Sequence, residues 1–139
     1  MAYRKQYEFV KFNPRTKQIE NTSAGMQYEN IIDDFFSAEG GRDFTEVLED
    51  KNLFAFPKPI KLIQYLINMI DNKDAIILDF FAGSGTTGQA VLEANLEDGG
   101  TRQFILCTLD EGDIPEKITV ERLKRIMTGK DSLGKANFP

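Results

Sequence analysis

The chain has 139 residues, 41% of them hydrophobic, and a formal net charge of −5 from 17 basic and 22 acidic side chains. This length is that of one domain or part of one, and the apolar content is enough for a core. A chain with this charge offers no basic field for a phosphate backbone, so we expect it to contact DNA or RNA only through a partner.

The sequence contains no histidine and a single cysteine, Cys107. Metal sites built from His and Cys are therefore excluded, and no internal disulfide can form. No apolar run approaches the roughly 20 residues of a membrane span, and the N-terminus lacks the apolar core of a signal peptide. We expect a cytoplasmic protein without a bound metal or a membrane segment.

Residues 1–52 carry weak signals and are expected to form a linker and hairpin region before the better organised residues 53–139. Alternating segments at residues 7–12 and 17–20 flank a turn-like Asn-Pro-Arg and predict the hairpin. A polar connector is expected over residues 22–41.

Two helices are predicted before the first long apolar strand. Asp43 and Glu46 have the spacing of a capping box, so a short helix is expected to begin at Asp43. A second helix follows the Pro-Lys-Pro segment, where apolar residues recur at the spacing of one helical face. These residues are Ile63, Leu66, Ile67 and Ile70.

Apolar segments at residues 75–78 and 103–109 predict two parallel strands, separated by a helix over residues 86–95. Cys107 is expected to be a buried small side chain within the second strand. A last helix is predicted from near Asp113 to Gly129. Its inward residues are expected to be Ile118, Leu123, Ile126 and Met127, while Glu121, Arg122, Lys124 and Arg125 are expected on a solvated face.

This order of elements predicts an α/β fold, a parallel sheet with flanking helices and right-handed crossovers. Two parallel strands leave long open edges and bury too little surface for a stable doubly wound domain. The sequence therefore predicts part of a Rossmann-like sheet, to be completed by another chain or by further sequence.

The most informative segment is DFFAGSGTTG, which follows the first predicted strand directly and begins at Asp79. Its glycines permit backbone angles and close approaches that a Cβ forbids, and the first N–H groups of the next helix face an incoming anion. Strand alternation predicts that one of Phe80 and Phe81 faces the core and the other faces a ligand. A strand, glycine turn and helix in this order indicate a cofactor site.

Two cofactors fit this turn to different degrees. Gly83, Gly85 and Gly88 match the dinucleotide pattern GxGxxG, and Asp110 lies where a ribose-binding acid belongs, so an NAD-type domain stays open as an alternative. However, a carboxylate at Asp79 would repel a pyrophosphate, whereas it would suit a ligand that carries an ammonium and a sulfonium. S-adenosylmethionine has these charges.

The segments FAFPKPIKLIQYLI, DFFAGSGTT and FILCTLDE resemble the C-terminal part of amino-group DNA methyltransferases. The resemblance is closest to the modification (Mod) subunits of type III restriction-modification systems, and it covers roughly residues 54–129. It implies a class I methyltransferase fold, S-adenosylmethionine as cofactor and DNA adenine-N6 methylation as the activity of the full-length enzymes.

The resemblance also implies roles for individual residues. Asp79 is expected near the amino group of the methionine moiety, and Thr86 and Thr87 near its carboxylate. The other cofactor-binding residues that the resemblance implies lie in the loop between Asp79 and Thr86 and in the family's KP segment. They are Phe80, Phe81, Ala82, Gly83, Ser84, Gly85, Lys58 and Pro59. Related enzymes often carry the ribose-binding acid where Thr108 stands here, so whether Asp110, Glu111 or neither contacts the ribose stays open.

The family's catalytic DPPY-type tetrapeptide, which holds the flipped adenine, has no counterpart in this sequence. We therefore expect the cofactor-binding portion of a methyltransferase, which needs a partner carrying the catalytic and target-recognition portion and contacts DNA only through it. An alternative is a truncated or split product that acts as an assembly module and self-associates through its open sheet edges.

Overall fold

The computed structural model describes residues 10–13, 15, 18–21, 32 and 34–129. The chain forms two compact units, residues 1–32 and residues 33–139. Of the predicted connector, residues 22–31 and 33 lie outside the described residues. The functional boundary between residues 52 and 53 stays a prediction.

In the first unit, β1 (Val10–Asn13) pairs with β2 (Gln18–Asn21) in antiparallel register, with Val10 opposite Asn21 and Asn13 opposite Gln18. This pairing confirms the predicted hairpin. Residues 7–9 and 17, which were also predicted to belong to its strands, lie outside the described residues.

The second unit alternates helices with two strands. In chain order its elements are α1 (Ser37–Leu48), α2 (Ile60–Asn68), β3 (Ile76–Asp79), α3 (Thr86–Asp98), β4 (Gln103–Leu106), a π-helical segment (Pro115–Val120) and α4 (Glu121–Thr128). Strands β3 and β4 are parallel, with Ile77 opposite Phe104 and Asp79 opposite Leu106. The predicted α/β fold with a small parallel sheet and flanking helices is thus confirmed.

One face of the β3–β4 sheet is covered by helices α2 and α3. Ile77 and Phe104 point to this face and pack against a cluster formed by Ile60, Ile67, Ala90 and Val91. The opposite face exposes Ile76, Leu78 and Ile105. We call this second surface the open face.

A second core joins α1 to the end of the described chain. Phe44, Val47 and Leu48 of α1 pack against Ile118 of the π-helical segment. None of the helices in the described part of the chain is long and apolar enough to cross a membrane.

The first half of the second unit differs from the sequence-based expectation in two places. Helix α1 begins at Ser37 and not at Asp43, so the connector was predicted too long. Asp43 caps a different helix, because its Oδ2 accepts a hydrogen bond from the backbone N–H of Ile60 at 3.0 Å. Helix α2 ends at Asn68, which leaves Ile70 beyond it and exposed.

The second half differs in three places. Strand β4 ends at Leu106, three residues earlier than predicted, and Cys107 is exposed rather than buried. The last helix starts with a π-helical segment at Pro115 and ends as predicted at Gly129, whose φ is +65°. Of its predicted inward residues, Ile118 is buried and Ile126 packs against the same core, but Met127 is exposed. Arg122 and Arg125, which were expected on a solvated face, are buried.

Candidate functional site

The predicted strand, turn and helix meet at the carboxyl end of β3. Asp79 is the last residue of β3, and six residues later Gly85 leads directly into α3. Gly83 and Gly85 have φ angles of +48° and +77°, which residues with a Cβ adopt only at a cost. We call residues 80–85 the glycine loop.

The Asp79 carboxylate holds the two ends of the glycine loop together. Its Oδ1 accepts a hydrogen bond from the backbone N–H of Phe81 at 2.9 Å, and its Oδ2 accepts one from the Thr87 hydroxyl at 2.5 Å. A carboxylate has about four acceptor sites, so the half-buried Asp79 retains the capacity to bind a cationic group. Both the fold and a ligand can therefore use this side chain.

Backbone hydrogen bonds tie the glycine loop to the end of the neighbouring strand. The Ala82 N–H donates to the carbonyl of Cys107 at 3.0 Å, and the Cys107 N–H donates to the carbonyl of Asp79 at 2.8 Å. Within the loop, the Gly85 N–H donates to the Ala82 carbonyl at 2.8 Å. The carboxyl ends of the two parallel strands thus form one edge, where α/β folds bind their ligands.

Two aromatic side chains lie on the surface of the glycine loop. Phe80 is 64% exposed and Phe81 is 89% exposed. The prediction that one of them would face the core is therefore wrong. Ala82 and Ser84, in contrast, are buried.

Two residues outside the predicted site contact the glycine loop from the last helical region. The Thr119 hydroxyl donates to the Gly83 carbonyl at 2.6 Å, and Arg122 Nη1 donates to the Ser84 carbonyl at 3.2 Å. The expectation that Arg122 is solvated is wrong, because its side chain is completely buried. Its position one helical turn after the buried Ile118 is the sequence signal that indicates an inward face.

The structure does not join the remaining predicted site residues to this loop. Lys58 is exposed and its backbone lies against Gly40 of α1, while Pro59 is buried directly before α2. Asp110 is exposed, four residues beyond the end of β4. No hydrogen bond or ion pair among residues 34–129 links any of the three to the glycine loop.

No metal site accompanies the loop. Within the described ranges, His, Cys, Asp and Glu side chains form no group of three or more that is arranged to hold a metal ion. The chemical resources of the site are therefore one carboxylate, hydroxyl groups, exposed aromatic rings and the N–H groups at the start of α3.

The relatives that resemble this chain include two type III Mod subunits and one type II methyltransferase. The Mod subunit of the type III restriction-modification enzyme StyLTI from Salmonella typhimurium is 42% identical over 99 residues, 70% of this chain and 15% of the relative. The EcoPI Mod subunit of Escherichia phage P1 is 51% identical over 59 residues, 42% of this chain and 9% of the relative. The type II methyltransferase M.KpnI of Klebsiella pneumoniae is 42% identical over 72 residues, 52% of this chain and 17% of the relative.

The matched segment thus spans less than a fifth of the length of each of these relatives. A family model for N6/N4 methyltransferases, described as DNA methylase, matches residues 1–119. That range covers the hairpin, the β3–β4 sheet and the glycine loop. The chain therefore belongs to the N6/N4 DNA methylase family, the DNA methyltransferases of restriction-modification systems.

Proposed function

We propose that this chain is the S-adenosylmethionine-binding portion of a site-specific DNA adenine-N6 methyltransferase, and that it methylates DNA only together with a catalytic and target-recognition portion. The observation that carries this proposal is the Asp79 carboxylate at the end of β3, held next to a loop with two glycines at positive φ. Membership of the methylase family supports the same reading.

The charges of the loop fit the amino-acid part of this cofactor. Asp79 attracts its ammonium, and the N–H groups in the first turn of α3, which have no acceptors within the helix, attract its carboxylate. The Thr86 hydroxyl lies at the same helix start. When bound, the cofactor supplies an electrophilic methyl group on its sulfonium, while the residues of this chain bind and orient it.

We assign the adenosine part to the exposed side of the loop. Phe80 and Phe81 offer apolar rings for a flat base. Lys58 and Pro59 are proposed to approach the ligand from the neighbouring helix, as the family resemblance implies, and Asp110 is the proposed contact to the ribose because it lies beyond the end of β4. A bound base would also reduce the apolar surface that the two rings expose to water.

The open face supports the proposal that a further portion completes the domain. Sheets of parallel strands are covered on both faces in α/β proteins, and here Ile76, Leu78 and Ile105 are exposed on one of them. We infer that the catalytic and target-recognition portion covers this face. DNA would then be contacted through that portion, because this chain carries a net charge of −5.

The binding half of the proposal is tested by calorimetric titration with S-adenosylhomocysteine. We expect the wild-type chain to bind and the Asp79→Asn variant to bind about tenfold more weakly, because the variant loses the charge but keeps the side-chain shape. Asp71→Asn, which removes an exposed carboxylate before β3, is the matched control and is expected to bind as the wild type does. A folded wild-type chain that gives no heat at millimolar ligand contradicts the proposal.

Two further measurements address the alternatives. A thermal shift with S-adenosylhomocysteine but not with NAD is expected, because a ligand that binds only the native state raises the melting temperature. A larger shift with NAD would favour the dinucleotide-binding alternative. Light scattering reports whether the open face drives self-association, as the assembly alternative requires.

A further inference from the structure

The glycine loop is hydrogen-bonded to the last helical region, which comprises the π-helical segment and α4 (residues 115–128). The two donors described above, Thr119 and Arg122, bind the carbonyls of consecutive residues, Gly83 and Ser84. Both lie at or near the junction of the π-helical segment and α4, and π-helical turns are frequent at functional sites.

Arg122 is unusual among the charged residues of the chain. Its Nη1 also lies 3.2 Å from Ser84 Oγ and 3.1 Å from Thr86 Oγ1, and its Nε donates to Gln89 Oε1 at 2.7 Å. All of these partners are neutral oxygens, and within the described residues Nη2 has no hydrogen-bond partner. The guanidinium lies 5.6 Å from the centre of the Phe44 ring. A buried charge of this kind is costly and therefore calls for a functional explanation.

The charge of Arg122 is balanced through a side-chain network and not by direct contact. Gln89 Nε2 donates to Glu93 Oε1 at 2.8 Å, and Gln64 Nε2 donates to Glu93 Oε2 at 2.9 Å. Burial lowers the pKa of Arg122 to about 10, while Asp43 and Glu93 oppose that shift. The guanidinium thus stays charged at neutral pH, and the network connects helices α2, α3 and α4.

The direction of each held carbonyl also fixes the direction of the N–H group of the next residue. In a trans peptide, the carbonyl of one residue and the N–H of the next point in opposite directions, and the described residues contain no cis peptide. With its carbonyl held by Thr119, Gly83 forces the N–H of Ser84 to point away from the helix. The next N–H, that of Gly85, is directed back to Ala82 and completes the turn.

We propose that Thr119 and Arg122 are positioning residues for the glycine loop: they hold two of its carbonyls on the helix side, which leaves the Ser84 N–H facing the carboxylate of the bound amino-acid moiety and keeps the Gly85 N–H in the turn to Ala82. This inference rests on the proposed function. The fixed charge of Arg122 behind the loop favours the same carboxylate in front of it. Both effects act on the amino-acid part of the ligand and leave the adenosine part unaffected.

Comparing the affinities of a ligand with the amino-acid part and a ligand without it distinguishes positioning of the glycine loop from a general effect of Arg122 on stability. The probes are S-adenosylhomocysteine, which carries the carboxylate, and 5′-methylthioadenosine, which lacks it. For Arg122→Met we expect about tenfold weaker binding of the first ligand and less than about twofold change for the second. Hydrogen exchange at the amides of residues 84–87, without ligand, is expected to become about tenfold faster.

Arg125→Met is the matched control, because Arg125 is a buried arginine on the same helix that donates to the Val47 carbonyl of α1 at 3.0 Å. It is expected to lower the free energy of unfolding and to leave loop exchange and the ratio of the two affinities unchanged. If Arg122→Met does not fold, the same measurements on Thr119→Val test the proposal. This variant removes the hydroxyl that binds the Gly83 carbonyl at 2.6 Å and also lies 3.3 Å from the Ile114 carbonyl.

The outcomes distinguish this inference from the proposed function. Equal weakening of both ligands, or unchanged exchange at residues 84–87, overturns the positioning role while the binding proposal stands. A wild-type chain that binds neither probe overturns the proposed function. The exchange comparison then still decides whether Thr119 and Arg122 hold the loop.

Discussion

The two faces of the β3–β4 sheet have similar side chains and opposite environments. Ile77 packs under α2 and α3, whereas its neighbour Ile76 is 64% exposed. Strands with apolar residues at every position are typical of parallel sheets that are covered on both sides. The helices of the described chain cover one of the two faces, and the comparison supports the proposal that a further portion covers the other.

The largest effect on stability is expected from truncating one of two adjacent residues of β3 that lie on opposite faces of the sheet. Ile77→Ala should lower the free energy of unfolding by about 2 kcal/mol, because it removes packed methyl groups. Ile76→Ala should lower it by less than about 0.5 kcal/mol, since that side chain is exposed. Both variants lose the same strand propensity, so the difference between them in urea unfolding isolates burial.

Equal losses in the two variants would show that both faces are covered in solution, as expected if the chain self-associates through the open face. Light scattering at the same protein concentration would then detect the dimer or larger assembly.

A smaller effect is expected from acid, which weakens the ion pair between Asp98 of α3 and Arg102. A hydrogen bond from Arg102 lowers the pKa of Asp98 from 3.8 to about 2 and joins the end of α3 to the start of β4. Because the folded-state pKa is depressed, the stabilisation is present above pH 4 and is lost as the pH falls towards 2. The stability difference between wild type and Asp98→Asn should therefore shrink over this range.

The measurement is chemical unfolding at several pH values, with Glu97→Gln as the matched control for loss of a carboxyl at the adjoining position. A difference between wild type and Asp98→Asn that stays constant from pH 5 to about 2 would contradict the assigned pKa direction.

The smallest effect is expected on the open face. Ile105→Ser should change the free energy of unfolding by less than about 0.5 kcal/mol and reduce the binding of a hydrophobic dye. The same substitution at Phe104, which is half-buried on the covered face, is the matched control and should lower the free energy of unfolding by about as much as Ile77→Ala does. Comparable destabilisation by the two would mean that the open face is packed in the isolated chain.

The glycine loop was predictable from sequence because its signals are local. An apolar strand, an acidic residue and glycines that accept positive φ stand next to one another, so no distant contact is needed to recognise the turn. The hairpin and the glycine that ends α4 were recognised for the same reason. Residue roles at the ligand stay predictions.

The start of helix α1 was predicted wrongly because it depends on tertiary contacts. Gly40 resembles a helix breaker, but a Cβ at this position would lie 2.1 Å from the Pro57 carbonyl oxygen, so the glycine permits a close approach of the next segment. Asp43 has the chemistry of a helix cap, yet the N–H that it binds is that of Ile60, 17 residues away. Sequence spacing alone does not reveal such long-range pairing.

Arg122 was assigned to the solvent because its neighbours in sequence are also charged. Lys124 is exposed as expected, whereas Arg122 and Arg125 point inward from the same helix. The difference depends on acceptors contributed by the glycine loop and by α1, which lie about 40 and 80 residues earlier in the chain. A helical wheel indicates the shared face and does not identify these acceptors.

The exposed Cys107 offers a way to observe assembly. It is the only thiol in the chain, and it follows Ile105 by two residues at the end of the open face. A fluorophore attached there would sit beside the surface that we expect the rest of the enzyme to occupy. Docking of the proposed catalytic portion can thus be followed optically without an engineered label site.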